Sequence, residues 1–235
     1  MNTIEILLFI CVVAAVCGLS PTIFSIFTSL LAGTLGKGHS NARIWYNSLS
    51  FFVGFISTIV ILGTASWYLL SSLNIQIAQY LCLLVAVLAV IAAIIDIKDF
   101  FWYGRGISHR PHKKLSQALH TRTTQKFGFF SSFCLGVITL AATSSNIGLL
   151  TISAASLFYI GNFAPNIQWL LFYGTCLIIG LFVCLLAATN GLKISILVKW
   201  QQEHKSIMRL GNGLGLMAIA WLILLLLSRT IMVGL

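Results

Sequence analysis

Acidic side chains are nearly missing from this 235-residue chain: Glu5, Asp96, Asp99 and Glu203 are all there are. Charged residues of both signs make up only 8%, against about 25% in a soluble domain. A soluble protein this poor in charge would carry a largely apolar surface and aggregate. Also lacking is any lysine or arginine in Met1-Asn2-Thr3-Ile4-Glu5 before the first apolar run. A secretory leader needs a basic start and a small-residue cleavage site, so the first run is expected to be a retained helix. No phosphate-binding loop, catalytic triad, CxxC pair or CxxCH haem motif occurs.

What is present is apolar surface, 59% of the residues. A helix crossing the hydrocarbon core needs about 20 apolar residues. Stretches 6–34, 45–70, 76–96, 128–158, 167–190 and 208–233 meet that demand. The expected fold class is therefore all-α, a polytopic membrane protein with six transmembrane helices. The first stretch is interrupted at Gly18-Leu19-Ser20-Pro21-Thr22 and the fourth at Thr143-Ser144-Ser145-Asn146. Pro21 removes a backbone donor and blocks regular helix. A break within lipid must be buried in protein or line a wet cavity.

The net charge of +10 does not point to nucleic acid, because the basic residues lie in short connections between apolar runs. Lys37 and Arg43 fall in the first connection. Lys98, Arg105, Arg110, Lys113, Lys114, Arg122 and Lys126 fall in the third, and Lys193, Lys199, Lys205 and Arg209 in the fifth. Connections 71–75 and 159–166 are uncharged. The positive-inside rule puts the odd connections in the cytoplasm and both termini outside. Arg229, the one exception, can snorkel from a helix end. Residues 113–125 are expected to form a short surface helix, and 199–209 an interfacial lead into the last span. Both would meet anionic lipid. Asp96 and Asp99 are read as interfacial, and Trp45, Tyr46, Trp67 and Tyr68 as aromatic belt residues. His109, His112 and His120 lie in the basic linker without the acids or cysteines of a metal site. No cofactor and no metal is expected.

The chain thus divides into a three-helix unit, 1–98, a basic cytoplasmic linker, 99–127, and a second three-helix unit, 128–235. Units with an odd number of spans enter the membrane from opposite sides, the arrangement of a 3+3 inverted repeat. Such folds work near the midplane, where interrupted helices meet. Ser20, Pro21, Thr22, Thr143, Ser144, Ser145 and Asn146 are the candidate substrate-path residues.

Three stretches add a resemblance. Gly18-Leu19-Ser20-Pro21, the run Ile97-Lys98-Asp99-Phe100-Phe101-Trp102-Tyr103-Gly104-Arg105-Gly106, and Lys199-Trp200, His204-Lys205, Gly211 and Gly215 are spread over most of the chain. In order and topology they resemble the cytochrome c biogenesis CcdA family, which shares its membrane fold with the transmembrane domain of DsbD. The resemblance implies a protein of a bacterial or archaeal plasma membrane. It implies thiol–disulfide electron transfer from a cytoplasmic thioredoxin to an extracytoplasmic thiol acceptor. The family's relay cysteines lie in helices one and four. Here those places read Thr22 and Ala142-Thr143-Ser144-Ser145-Asn146. A hydroxyl cannot exchange disulfides, so the candidate catalytic pair becomes Cys17 and Cys134, in the same two helices. Cys11, Cys82, Cys176 and Cys184 read as small packing residues. The alternatives are a transporter or exporter of a small solute or ion, of the wider LysE-like superfamily, and a non-redox membrane partner with the same fold.

Overall fold

The computed structural model describes residues 3–35, 41–102, 128–142, 147–160 and 167–233. Among the described residues the chain is wholly helical. The elements are α1 (Thr3–Gly18), α2 (Pro21–Leu35), α3 (Asn41–Ser72), α4 (Ile75–Phe101), α5 (Phe129–Ala142), α6 (Leu149–Ile160), α7 (Ile167–Thr189) and α8 (Ile194–Val233). The expected surface helix at 113–125 lies outside the described residues.

Four segments are long and apolar enough to cross a membrane: Ala42–Ser72, Ile75–Phe101, Gln168–Thr189 and Ile194–Ser228. Glu5–Gly18 and Pro21–Thr34, bent by 59° at their junction, make a fifth when counted as one broken span. The chain is a membrane protein on this ground. Of the six expected spans, the fourth is described only in part. It divides into the shorter apolar helices Phe129–Leu140 and Leu149–Ile160, with 143–146 outside the described residues. The last helix also starts earlier than hydropathy predicts. Its 40 residues extend about 60 Å at about 1.5 Å per residue, roughly twice a hydrocarbon core.

The expected break in the first span is present, and its local cause is visible. Leu19 and Ser20 donate their amides to Val16 and Cys17 carbonyls at 3.3 and 3.0 Å, a tightened last turn. Pro21 then opens α2, the position where its missing donor costs least. Phe24 donates to the Ser20 carbonyl at 3.0 Å to start the new helix.

Within the apolar helices, several hydroxyl groups satisfy themselves. Thr28, Thr34, Thr58, Thr139 and Thr151 each donate to a carbonyl four residues back, so each passes through an apolar layer with its proton engaged. The buried face of α4 is a stripe of small residues, Ala78, Cys82, Ala86, Ala89 and Ala93. Its opposite face presents Tyr80, Leu84, Val87, Ile91 and Ile94. Lipid offers no hydrophobic drive between helices, so close approach of small residues holds them together. The α4 stripe meets α8 in the most extensive helix pairing of the fold.

Two other pairings rest on glycine. A Cβ on Gly18 would collide with the Leu177 carbonyl of α7, and one on Gly136 of α5 with the Phe51 carbonyl of α3. The α3–α5 contact is further tied by Ser50, which donates to the Phe129 carbonyl at 2.7 Å. Gly128, by contrast, faces open space. Replacing Gly18 or Gly136 by alanine should cost about 1–3 kcal/mol through overpacking, and Gly128→Ala less than about 0.5 kcal/mol. Thermal unfolding of the three variants in detergent checks the order.

Candidate functional site: a polar seam beside the broken helix

The last helix, α8, carries the polar residues that meet the break. Gln201, buried, donates its side-chain amide to the Pro21 carbonyl at 2.8 Å. The neighbouring Trp200 ring lies 5.8 Å from that of Phe24. The start of α2 is therefore fastened to α8 by one hydrogen bond and one aromatic contact.

Further along α8, Arg209 reaches Asp99 of α4 at 3.3 Å, and Lys98 reaches the other oxygen of the same carboxylate at 3.2 Å. The Asp99 side chain is 1% exposed and that of Arg209 12%. Asp96, one turn earlier on α4, is 3% exposed. Both acids lie buried among the helices, and Asp99 pairs with Lys98 and Arg209. The cause is the length of α8, which covers α4 through its last turn.

One turn beyond Arg209, the seam reaches the break from the other side. The Cys17 thiol donates weakly to the Asn212 backbone carbonyl at 3.9 Å. It also lies within electrostatic reach of Asp96. Gly215 makes the room, since a Cβ there would sit 2.5 Å from the Cys17 sulfur. The Asn212 side-chain oxygen is buried and closes no hydrogen bond. Tyr173 of α7 is buried as well. Its hydroxyl lies beside Thr151 of α6 and near Cys17 and likewise closes no hydrogen bond. Thr151 spends its own proton on the Ile147 carbonyl, at 2.8 Å, leaving its lone pairs toward the tyrosine.

The seam thus joins α1, α4, α6, α7 and α8. Of the residues expected from sequence, Cys17 lies in it. Ser20 is buried at the break, Pro21 accepts from Gln201, and Thr22 is half-buried in the first turn of α2. Thr143, Ser144, Ser145 and Asn146 lie outside the described residues. Cys134 is half-buried on α5, which packs on α3; α1 instead packs on α7 and α8. The structure does not bring Cys17 and Cys134 onto facing helices. Among the described residues no group of three or more His, Cys, Asp or Glu side chains forms a metal site.

Thr151, Tyr173, Gln201 and Asn212 were not picked out by sequence reasoning, and Asp96 was weighed only as an interfacial acid. A signal existed for one of them: Asn212 stands between glycines in Gly211-Asn212-Gly213-Leu214-Gly215, an amide in an apolar run. An intramembrane polar side chain marks function by default. No protein-family model, curated protein or solved structure matches the chain.

Removing one partner of a buried pair strands the other. Arg209→Met should therefore destabilise the protein by about 3 kcal/mol, even with Lys98 still beside Asp99. Lys199→Met, which breaks an exposed 3.9 Å pair with Glu203, should cost under about 0.5 kcal/mol. Chemical denaturation of the two variants in mixed micelles measures the difference.

Proposed function

We propose that the chain is a six-span plasma-membrane transporter of a bacterium or archaeon that passes a small cation, or a small solute with a cationic group, along the polar seam. The observation that carries the reading is the convergence of Asp96, Cys17, Asn212, Tyr173 and Thr151 from five helices, with the Asn212 side-chain oxygen lacking a partner. Buried polar atoms are almost always paired, and each exception calls for an explanation. A buried amide oxygen without a partner, on a seam that also holds a carboxylate within reach of Cys17, is a setting that would favour a cationic group. The Asp99–Arg209–Lys98 cluster stands on the side that the positive-inside rule makes cytoplasmic. There it would act as a charged mouth, and Asp96 is the acid nearer the break.

The helix pairings support two related halves. Packing of α1 on α7 has a counterpart in α5 on α3, and α2 on α8 in α6 on α4. The Gly18–Leu177 and Gly136–Phe51 contacts each belong to one member of the first pairing. A 3+3 inverted repeat would relate these pairs and set the seam near the midplane. In that plan α5 and α6 together form the fourth span, broken as α1 and α2 are.

The CcdA/DsbD resemblance would instead make this a thiol relay. The geometry favours passage over relay: the Cys17 thiol turns to the Asn212 carbonyl, and Cys134 lies on a helix that does not pack on α1.

The full chain in proteoliposomes, assayed with radiolabelled lysine, labelled sodium and a proton-sensitive dye, should carry at least one of these faster than empty vesicles. Asn212→Leu and Tyr173→Phe should each slow it about tenfold, the factor set by losing about 1.4 kcal/mol. Uptake equal to that of empty vesicles, or unchanged in both variants, would sink the reading.

A further inference from the structure

The last helix is longer than the hydrocarbon needs, and its excess carries an exposed face. Ile196, Trp200, Ile207, Leu214, Trp221 and Leu225 are all exposed. At about 100° per residue they fall within about 60° of one another around α8. Leu197, Gln201 and Met208, turned toward the bundle, are buried. From Ile196 to Leu225 the exposed face runs about 44 Å, at about 1.5 Å per residue. A hydrocarbon core takes about 30 Å of that, and core plus headgroup layers about 40–45 Å. The face therefore passes through the core into a headgroup layer, with Ile196 and Trp200 at that end.

That end is basic. Lys193 and Lys199 are exposed and lie about 60° to either side of Ile196. The Ile196 amide donates to the Lys193 carbonyl at 2.9 Å, so Lys193 already follows the helical path. Glu203, the one acid of the stretch, is engaged by Lys199 at 3.9 Å. A tryptophan settles at the membrane boundary, and ammonium groups on either side of it meet anionic headgroups. An acidic segment of a soluble protein would match the lysines, but not an apolar face that continues along the same line into the hydrocarbon.

Trp200 also touches the interior. Its ring stacks on His204 at 4.9 Å and lies 5.8 Å from the ring of Phe24. Phe24 is fully buried in the first turn of α2. The next residue of α8, Gln201, holds the Pro21 carbonyl. Whatever fixes Trp200 at the surface thus also fixes the start of α2.

From this arrangement we infer that residues 193–207 bind the headgroup of an anionic phospholipid, with Lys193 and Lys199 flanking Trp200, and that the bound lipid steadies the start of α2 through Trp200 and Gln201. The stretch 199–209 is expected from its sequence to meet anionic lipid; the structure adds the face that does so and the buried contacts behind it. The inference does not depend on the transport reading.

The test uses the full purified chain in micelles of a non-ionic detergent, with phosphatidylglycerol or phosphatidylcholine added at equal mole fraction. Native mass spectrometry counts bound lipid, and thermal unfolding reads what the lipid stabilises. Phosphatidylglycerol should be retained in preference to phosphatidylcholine and should raise Tm. Lys193→Gln and Lys199→Gln should each lower that preference about fivefold, the factor set by about 1 kcal/mol per basic residue near an anionic surface. Arg43→Gln, on α3, should keep it. Gln201→Leu should bind the lipid as the wild type does but gain less in Tm. The inference is overturned if the two lipids bind and stabilise equally, or if Arg43→Gln lowers the preference as much as the lysine variants. It is equally overturned if inorganic phosphate or polyglutamate raises Tm as phosphatidylglycerol does, or if Gln201→Leu gains as much as the wild type. The wild-type and lysine-variant readouts decide the matter even if the Gln201 variant fails to fold.

Discussion

A backbone amide or carbonyl in hydrocarbon has no water to turn to, so a helix that breaks there must find partners inside the protein. The rest of this structure follows from how the break at 18–21 is handled. Leu19 and Ser20 close a tight turn with their own helix. Pro21 has no amide to lose, and its carbonyl takes a side-chain donor from Gln201. Once the break is fastened to α8, the position of α8 decides which other polar groups share the interior. Asp96, Asp99 and Asn212 are buried, and Arg209 half-buried, because α8 lies along α4 for much of its length.

Packing and chemistry are coupled at the same residues. The small stripe of α4 draws α8 close, and Gly215 draws it onto Cys17. A larger residue at either place would part the helices and admit lipid to charged groups. A seam of this kind can exist only inside a bundle whose contacts are made by alanine and glycine. These are the residues that let backbones approach where hydrophobic drive is absent.

Much of the architecture was legible beforehand. Long apolar runs separated by basic loops gave the helices at 41–72, 75–101 and 167–189 to within a few residues. Pro21 marked the first break because its ring acts locally. The start of α8 was misjudged because Lys199, Gln201, Glu203, His204 and Lys205 lower local hydropathy, although the backbone stays helical through them. The burial of Asp96 and Asp99 depends on that same long helix, and pattern along one helix says nothing of what another will cover. Cys17 was found because it lies next to the interruption. Tyr173 was missed because a lone tyrosine in an apolar run carries no periodic mark.

The helix α8 grips the first broken span at two heights. Gln201 holds the segment after the kink, and Asn212 meets the thiol before it. The two holds lie about 16 Å apart along a stiff rod, at about 1.5 Å per residue. A tilt of that rod would open or shut the 59° elbow as a handle works a hinge, so a tug on the basic end outside the lipid would be felt at the buried amide.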